Sequence, residues 1–169
     1  QNSLGESDLH EINRTVTSLS PIISKVVILL DPLASQNSQT IQVEPIPEVK
    51  IITDEVLLLD LLKFLIGKAI VYTRRHEVMV EVTVDKSARR VVIGIDNLGQ
   101  DIPQSVIHFI RRANPKENYD LTNPVVAQNK EISFMLHILN RIDGKITFTT
   151  SPTLGEIALI NLPLASEAD

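Results

Sequence analysis

The chain has 169 residues, of which 43% are hydrophobic and 22% charged, and its formal net charge is −5. This composition suits one folded domain with a sizeable core and excludes disorder throughout. The negative net charge argues against nucleic acid as a partner, because phosphate binding requires a basic face. The absence of cysteine excludes disulfides, thiol catalysis and cysteine-based zinc sites.

No apolar run approaches the roughly 18 residues of a membrane span, and no basic segment leads into an apolar one at the N-terminus. We therefore expect neither direct membrane contact nor a secretion signal. Residues 1–17 are polar and without a clear period, so they are predicted to form a linker or tail. Residues 18–164 are predicted to form one domain, and residues 165–169 a second tail.

The first predicted helix has Ser20 as its N-cap and Pro21 at its first position, where the missing N–H costs nothing. Pro32, near its end, predicts a kink or a break. Apolar residues at helical spacing should bury one face of this helix. They are Ile22, Ile23, Val26, Val27, Leu29, Leu30 and Leu33.

Two short β-rich segments come next, at Thr40–Val43 and Val49–Ile52. Either Thr53 or Asp54 can then cap a second helix, which runs to about Thr73. Apolar residues repeat every three or four positions along it and are expected to face the core. They are Leu58, Leu61, Leu62, Leu65, Ala69 and Tyr72.

The second half of the chain is predicted to mix strands and helices. Strands at Glu77–Val84 and Arg89–Ile95 are joined by a turn, and a polar loop, Asn97–Pro103, leads into a short helix at Gln104–Arg112. Ala113–Gln128 is polar and contains two prolines, which indicates a long loop of the kind that usually has a function. The remaining elements are a helix at Glu131–Ile142 and strands at Lys145–Thr150 and Ile157–Leu162.

The order of these elements predicts the class of fold. Strands linked as hairpins form an antiparallel or mixed sheet, and the helices between them collect on one face. The sequence therefore predicts an α/β (α+β) two-layer sandwich, with a mixed, mostly antiparallel sheet and helices on one side.

Three stretches of sequence resemble a known family. Thr53–Thr73 ends in a phrase similar to Asn-Ala-Ile-Lys-Tyr-Thr, and Val91–Pro103 is similar to a strand and loop ending Asp-x-Gly-x-Gly-Ile-Pro. Ser133–Pro163 is similar to a closing helix and hairpin that end in Leu-Pro. Over roughly Ser18 to Leu164 the chain thus resembles the catalytic and ATP-binding domain of two-component sensor histidine kinases, of the GHKL superfamily. The resemblance implies a Bergerat-type ATPase fold.

The resemblance also implies where a nucleotide site would lie. The family's long helix carries two asparagines, the second of which helps to hold Mg²⁺, and these positions fall on Phe64 and Lys68. Phenylalanine has no metal-binding atom and an ammonium cannot ligate a cation, so no metal site is expected. Phe64 would plug part of the old cavity. Lys68 would either contact phosphate as a point charge or pair with Asp60 or a loop carboxylate.

The loop after the second hairpin strand is altered as well. The family's adenine-binding Asp and its two glycines align with Asn97, Gly99 and Asp101. Asn97 still offers an oxygen acceptor, whereas Asp101 adds negative charge near the phosphates. A shift of one residue would restore Asp96 as the acid but would misplace Gly99.

The family's glycine-rich lid is also missing. Its backbone N–H groups hold the triphosphate at a helix N-terminus, but this sequence has no glycine between Gly99 and Gly144. The matching stretch is Gln128–Ile132, in which Glu131 would repel phosphate. The family's last Gly-Thr motif is Gly155-Glu156 here, and Gly155 is expected to serve the turn.

The four histidines offer no clear chemistry. His10 loosely matches a phosphoacceptor phrase, but no two-helix hairpin precedes Ser18 in this sequence. His76, His108 and His137 are isolated, and no pair has the spacing of metal ligands.

The sequence favours a degenerate, pseudokinase-type module of a two-component system, without catalytic residues, with ATP binding weak or lost, and with neither ATP nor Mg²⁺ expected as a cofactor. Its expected partners are a helical dimerisation and phosphotransfer domain, a partner kinase or a response regulator. It would lie in the cytoplasm, and a homodimer could form through segments outside this chain. One alternative is a divergent but working ATP-binding domain of a histidine kinase, with Mg²⁺. Another is the support domain of a histidine phosphotransfer protein.

Overall fold

Strands and helices follow one another along the part of the chain that the computed structural model describes, which is residues 12–73, 76–96, 102–152 and 155–166. The strands are β1 (Thr15–Ser18), β2 (Thr40–Val43), β3 (Lys50–Thr53), β4 (Glu77–Asp85), β5 (Arg90–Asp96), β6 (Lys145–Ser151) and β7 (Gly155–Pro163). The helices are α1 (Leu19–Gln36), α2 (Glu55–Tyr72), α3 (Gln104–Arg112), α4 (Pro124–Ala127) and α5 (Lys130–Arg141).

Five of the strands form one sheet in the order β2-β4-β5-β7-β6. All neighbours in it are antiparallel except β2 and β4, which are parallel. β1 and β3 form a separate antiparallel pair. The predicted two-layer sandwich with a mixed, mostly antiparallel sheet is confirmed.

The sheet has a buried inner face and a more open outer face. Along β4, Val78, Val80 and Val82 are buried, whereas Glu81 and Thr83 are exposed, as the alternation of the sequence predicts. Helices supply the other half of the core. Its largest fully buried side chains are Leu19, Ile22, Ile23, Ile51, Leu58, Leu61, Leu62, Leu65, Ile66, Ile70, Ile93 and Ile95.

The first helix, α1, differs from its prediction at both ends. Its N-cap is Ser18 rather than Ser20. Of the kink or break predicted at Pro32, the break does not occur, since the helix continues to Gln36. The carbonyl that loses its donor to Pro32 belongs to Ile28, whose residue is 72% exposed, so water can satisfy it. Core packing of Leu30 and Ala34 holds both sides of the proline.

By length and composition alone, α1 is also the one described helix that passes as a candidate membrane span. Its apolar residues are arranged as in an amphipathic core helix. Six of them are buried and the helix packs along α2. The buried residues are Leu19, Ile22, Ile23, Val26, Leu30 and Ala34.

Both tails predicted from the sequence contribute to the fold where they adjoin it. Thr15–Ser18 forms β1, with Val16 opposite Ile52 of β3, so the folded region begins before Ser18. The polar, mostly exposed side chains of β1 gave no alternating signal. At the other end, the Ala165 N–H donates to the Lys50 carbonyl at 2.9 Å.

The predicted long loop at Ala113–Gln128 is more structured than its composition indicates. It contains α4, whose N-cap Asn123 accepts a hydrogen bond from the Val125 N–H at 3.0 Å. Pro124 occupies the first helical turn, where proline is favoured. The loop therefore leads into α5 through an ordered helical turn.

Candidate functional site

A cleft of about 340 Å³ lies between α2 and the N-terminus of α5. This is where the resemblance places a nucleotide. Two sequence-predicted site residues, Phe64 and Lys68, line it from α2. The other lining residues are Leu65, Ile102, Gln128, Asn129, Lys130, Glu131 and Ile132.

Phe64 packs across this cleft. Its ring meets that of Phe134 on α5 edge to face, with centroids 5.9 Å apart. Aromatic pairs of this geometry are favourable beyond the area they bury. The pair fills space with hydrocarbon where a metal site would need oxygen ligands.

Lys68 crosses the cleft one turn further along α2. Its Nζ lies 2.7 Å from Oε2 of Glu131, in the first turn of α5. The same ammonium lies 5.8 Å from the ring centroid of Phe64 and 5.6 Å from that of Tyr72, within cation–π range. Glu131 on α5 is therefore a carboxylate partner of Lys68, although the sequence pointed to Asp60 or a loop carboxylate.

The N-terminus of α5 is capped by its own chain. The Asn129 side chain accepts a hydrogen bond from the Ile132 N–H at 3.1 Å, and Glu131 adds a negative charge in the first turn. A helix N-terminus attracts anions through free N–H groups and its dipole. Here the Asn129 cap already occupies one of these N–H groups, and the Glu131 carboxylate already supplies the negative charge.

Asp96 lies on the face of the sheet opposite the cleft. It follows Ile95, which is buried in the core, and it lines a groove on the outer face with Met79 and Ile157. Its Oδ1 accepts a hydrogen bond from the Met79 N–H at 2.7 Å. The alternation of β5 thus directs Asp96 away from the cleft.

The other three predicted site residues, Asn97, Gly99 and Asp101, fall outside the described residues. Ile102, immediately after them, lines the cleft.

A second cluster, around Tyr119, was not predicted from the sequence. The buried Tyr119 hydroxyl donates to the Ile146 carbonyl at 3.1 Å and accepts from the Ile146 N–H at 2.7 Å. Burial raises the pKa of Tyr119 to about 12, against a smaller lowering by the backbone of Ile146. The one available signal was a lone aromatic residue in the polar stretch Ala113–Gln128.

The histidines form no metal centre in the described part of the chain, where no group of three metal-ligating side chains occurs. His76 and His108 are exposed, and Nε2 of His137 lies 3.5 Å from the Arg141 guanidinium. His10 lies outside the described residues.

No protein-family model and no curated protein matches the chain, whereas many solved structures do. One is the histidine kinase AdeS of Acinetobacter baumannii, at 16% identity and a TM-score of 0.67, over 97% of this chain and 74% of that one. Another is the catalytic domain of the histidine kinase ThkA, at 16% identity and a TM-score of 0.69, over 90% and 97%. The mycobacterial sensor histidine kinase MprB matches at 14% identity and a TM-score of 0.66, over 90% of this chain and 98% of that one.

These similarities confirm the resemblance at the level of the fold. The chain has the ATPase-type fold of histidine kinase catalytic domains. At 14–16% identity the likeness extends to architecture and not to chemistry, which depends on the residues of the cleft.

Proposed function

We propose that this domain is a signalling module of a two-component system that works through protein contacts, with its nucleotide cleft closed by its own side chains. The observation that carries this proposal is the Lys68–Glu131 ion pair, at 2.7 Å, across the mouth of the cleft. It is supported by the packing of Phe64 on Phe134 behind it.

Three features of the cleft oppose a magnesium–triphosphate complex. The α2 positions that face it present a phenyl ring and an ammonium, neither of which ligates Mg²⁺. The carboxylate of Glu131 would repel the phosphates. The Asn129 cap occupies an N–H group that a phosphate would need.

The proposed partners are a helical dimerisation and phosphotransfer domain, a partner kinase or a response regulator, all in the cytoplasm. Apolar side chains on the described surface are consistent with protein contacts. Ile28 and Leu29 on α1 are 72% and 48% exposed, and Val71 and Tyr72 end α2 at 50% and 43%. Exposed apolar surface marks sites of protein contact where it is contiguous.

The second candidate function is ATP binding by a divergent site. The observation in its favour is the cleft itself, whose 340 Å³ reaches the lower end of the usual range for ligand pockets. Lys68 and Lys130 also line it and could face phosphates as point charges. This function requires the Lys68–Glu131 pair to open.

Calorimetric titration and thermal-shift measurements with ATP and ADP separate the two functions. For a closed cleft we expect no heat of binding and no rise in Tm at millimolar nucleotide, with or without Mg²⁺. A ligand well above its Kd must raise the Tm of a native state that it binds. Micromolar binding that Lys68→Ala abolishes would reject the proposal and establish the second candidate.

A matched variant tests whether the ion pair itself excludes nucleotide. Glu131→Gln removes the carboxylate but keeps the size and polarity of the side chain. If that variant also fails to bind, loss of the metal ligands and of the glycine lid suffices. If it binds while the wild type does not, the Glu131 carboxylate is the barrier, through its pair with Lys68 or its repulsion of phosphate.

A further inference from the structure

The segment that joins α3 to α4 is fastened to the body of the domain at its midpoint. We name residues 113–123 the strap. The Asn140 side chain, on α5, pairs with both backbone groups of Tyr119: it accepts from the Tyr119 N–H at 2.8 Å and donates to its carbonyl at 3.0 Å. The side-chain amide thus makes the pair of backbone hydrogen bonds that a neighbouring strand would make in a sheet.

The Tyr119 side chain makes a second attachment, to the sheet. β6 is an edge strand, and the Tyr119 hydroxyl bonds both backbone groups of Ile146 on its open side. Lys145 donates to the Glu117 carbonyl, and its ammonium lies 4.8 Å from the Tyr119 ring centroid. The strap therefore covers part of an exposed sheet edge, a feature that proteins usually protect.

The chain between Tyr119 and the cleft contains a continuous run of turns. The Asn123 N–H donates to the Asp120 carbonyl at 3.3 Å, and the Ala127 N–H to the Asn123 carbonyl at 2.8 Å. The Asn129 N–H then donates to the Val126 carbonyl at 3.0 Å. Val126 is fully buried, so this run is also held to the core.

These contacts close a ring of chain. It runs from Tyr119 through α4 into α5, and returns to Tyr119 through the Asn140 side chain. Glu131 lies within the ring, on the same helix as Asn140 and about 14 Å from it along the helix axis at the usual rise per residue. Tyr119 also ties this ring to β6, in the sheet on which α2 packs, and so restricts how far the start of α5 can move from α2.

We propose that Asn140 and Tyr119 are positioning residues that hold the cleft closed, so that release of the strap frees the start of α5 and separates Glu131 from Lys68. The inference rests on the proposed function in one respect, which is that it takes the closed cleft as the functional state of the domain. It assigns control of the cleft to residues that do not line it. An event that detaches the strap would open the cleft from a distance.

Hydrogen exchange and amine labelling of the full chain test this inference. In Asn140→Ala, amide exchange should rise about tenfold across residues 119–132, since both hydrogen bonds to Tyr119 are lost. Lys68 should also be modified several-fold faster by an acylating reagent, because its ammonium loses a stable partner. Peptide mass spectrometry measures both in one sample.

Two further variants complete the experiment. Asn118→Ala, at an exposed neighbour, should leave both readouts at wild-type values. Tyr119→Phe removes only the hydroxyl, and it should reproduce the effect in weaker form if Asn140→Ala does not fold. Exchange that rises only around residue 119, with Lys68 labelling unchanged, would overturn the inference. ATP binding by the wild type would reject the proposed function without altering these comparisons.

Discussion

Lys68 and Glu131 join α2 to the first turn of α5, with Nζ and Oε2 2.7 Å apart. The two side chains are 24% and 56% exposed, so solvent screens their attraction. Ion pairs of this kind contribute about 0–1 kcal/mol to stability. The pair therefore matters more for the shape of the cleft than for the free energy of unfolding.

A double-mutant cycle on this pair should give a small coupling energy. We expect Lys68→Ala and Glu131→Ala to couple by about 0.5 kcal/mol in urea unfolding, with a smaller value at high salt. A parallel cycle with Lys63→Ala, an exposed lysine on the same helix, should give none. Coupling above about 2 kcal/mol would show that the pair is shielded from water.

Two glycines should respond to alanine in opposite directions. At Gly144 a Cβ would lie 2.9 Å from Cδ2 of Leu139 and 3.2 Å from Cδ2 of Leu162, both in the core. Gly144→Ala should therefore destabilise the domain by about 1–3 kcal/mol. At Gly67 in α2 the nearest contacts are 3.9 Å away, so Gly67→Ala should stabilise it by about 0.5–1 kcal/mol. Chemical denaturation of both variants measures the signs, and equal signs would contradict the packing described here.

Tyr119 should give the domain an alkaline limit. Its pKa is raised from 10.0 to about 12 by burial, so folding favours the neutral phenol. This contribution to stability is fully present below pH 10 and is lost as the pH rises through 12. In unfolding experiments across this range, Tyr119→Phe should remove that part of the pH dependence. Tyr72→Phe, at the exposed second tyrosine, should retain it; an identical slope in both variants would count against the assignment.

Asp54 should be the costliest helix cap to remove. It is buried, its Oδ1 accepts from the Leu57 N–H at 3.2 Å, and its Oδ2 accepts from the Asn13 N–H at 3.0 Å. Asp54→Ala should cost about 2 kcal/mol, since a cap is worth about 1 kcal/mol and the hydrogen bond from the Asn13 N–H is lost as well. Asp54→Asn keeps the capping oxygen and should cost less, and Asp31→Ala, at an exposed site, should be close to neutral. Thermal or urea unfolding of the three variants would settle the order.

Much of the fold could be predicted from local sequence. The valine alternation of β4 and the apolar period of α2 indicated their elements within a residue or two, because each buries one face. β1 could not be predicted, since its side chains are mostly exposed and its partner is distant in sequence. The break predicted at Pro32 does not occur because core packing on both sides of the proline outweighs one lost hydrogen bond.

The candidate site was only half predictable. Alignment pointed to Phe64, Lys68 and Glu131 one at a time, but their contacts across the cleft depend on how α5 packs against α2. The strap was missed for a related reason. Tyr119 and Asn140 belong to no periodic pattern in the sequence, and the hydrogen bonds between them form only when the strap packs against α5.

The parallel pairing of β2 with β4 has a consequence for how the molecule assembles. Thr40 lies opposite Glu77, so the connection that contains β3 and α2 must carry the chain from the end of β2 back to the start of β4. The hairpins β4–β5 and β6–β7 need no such crossover. Non-local pairings of this kind form late and slow the kinetics of a domain. We therefore expect β2 to join the sheet only after the β4–β5 hairpin has formed.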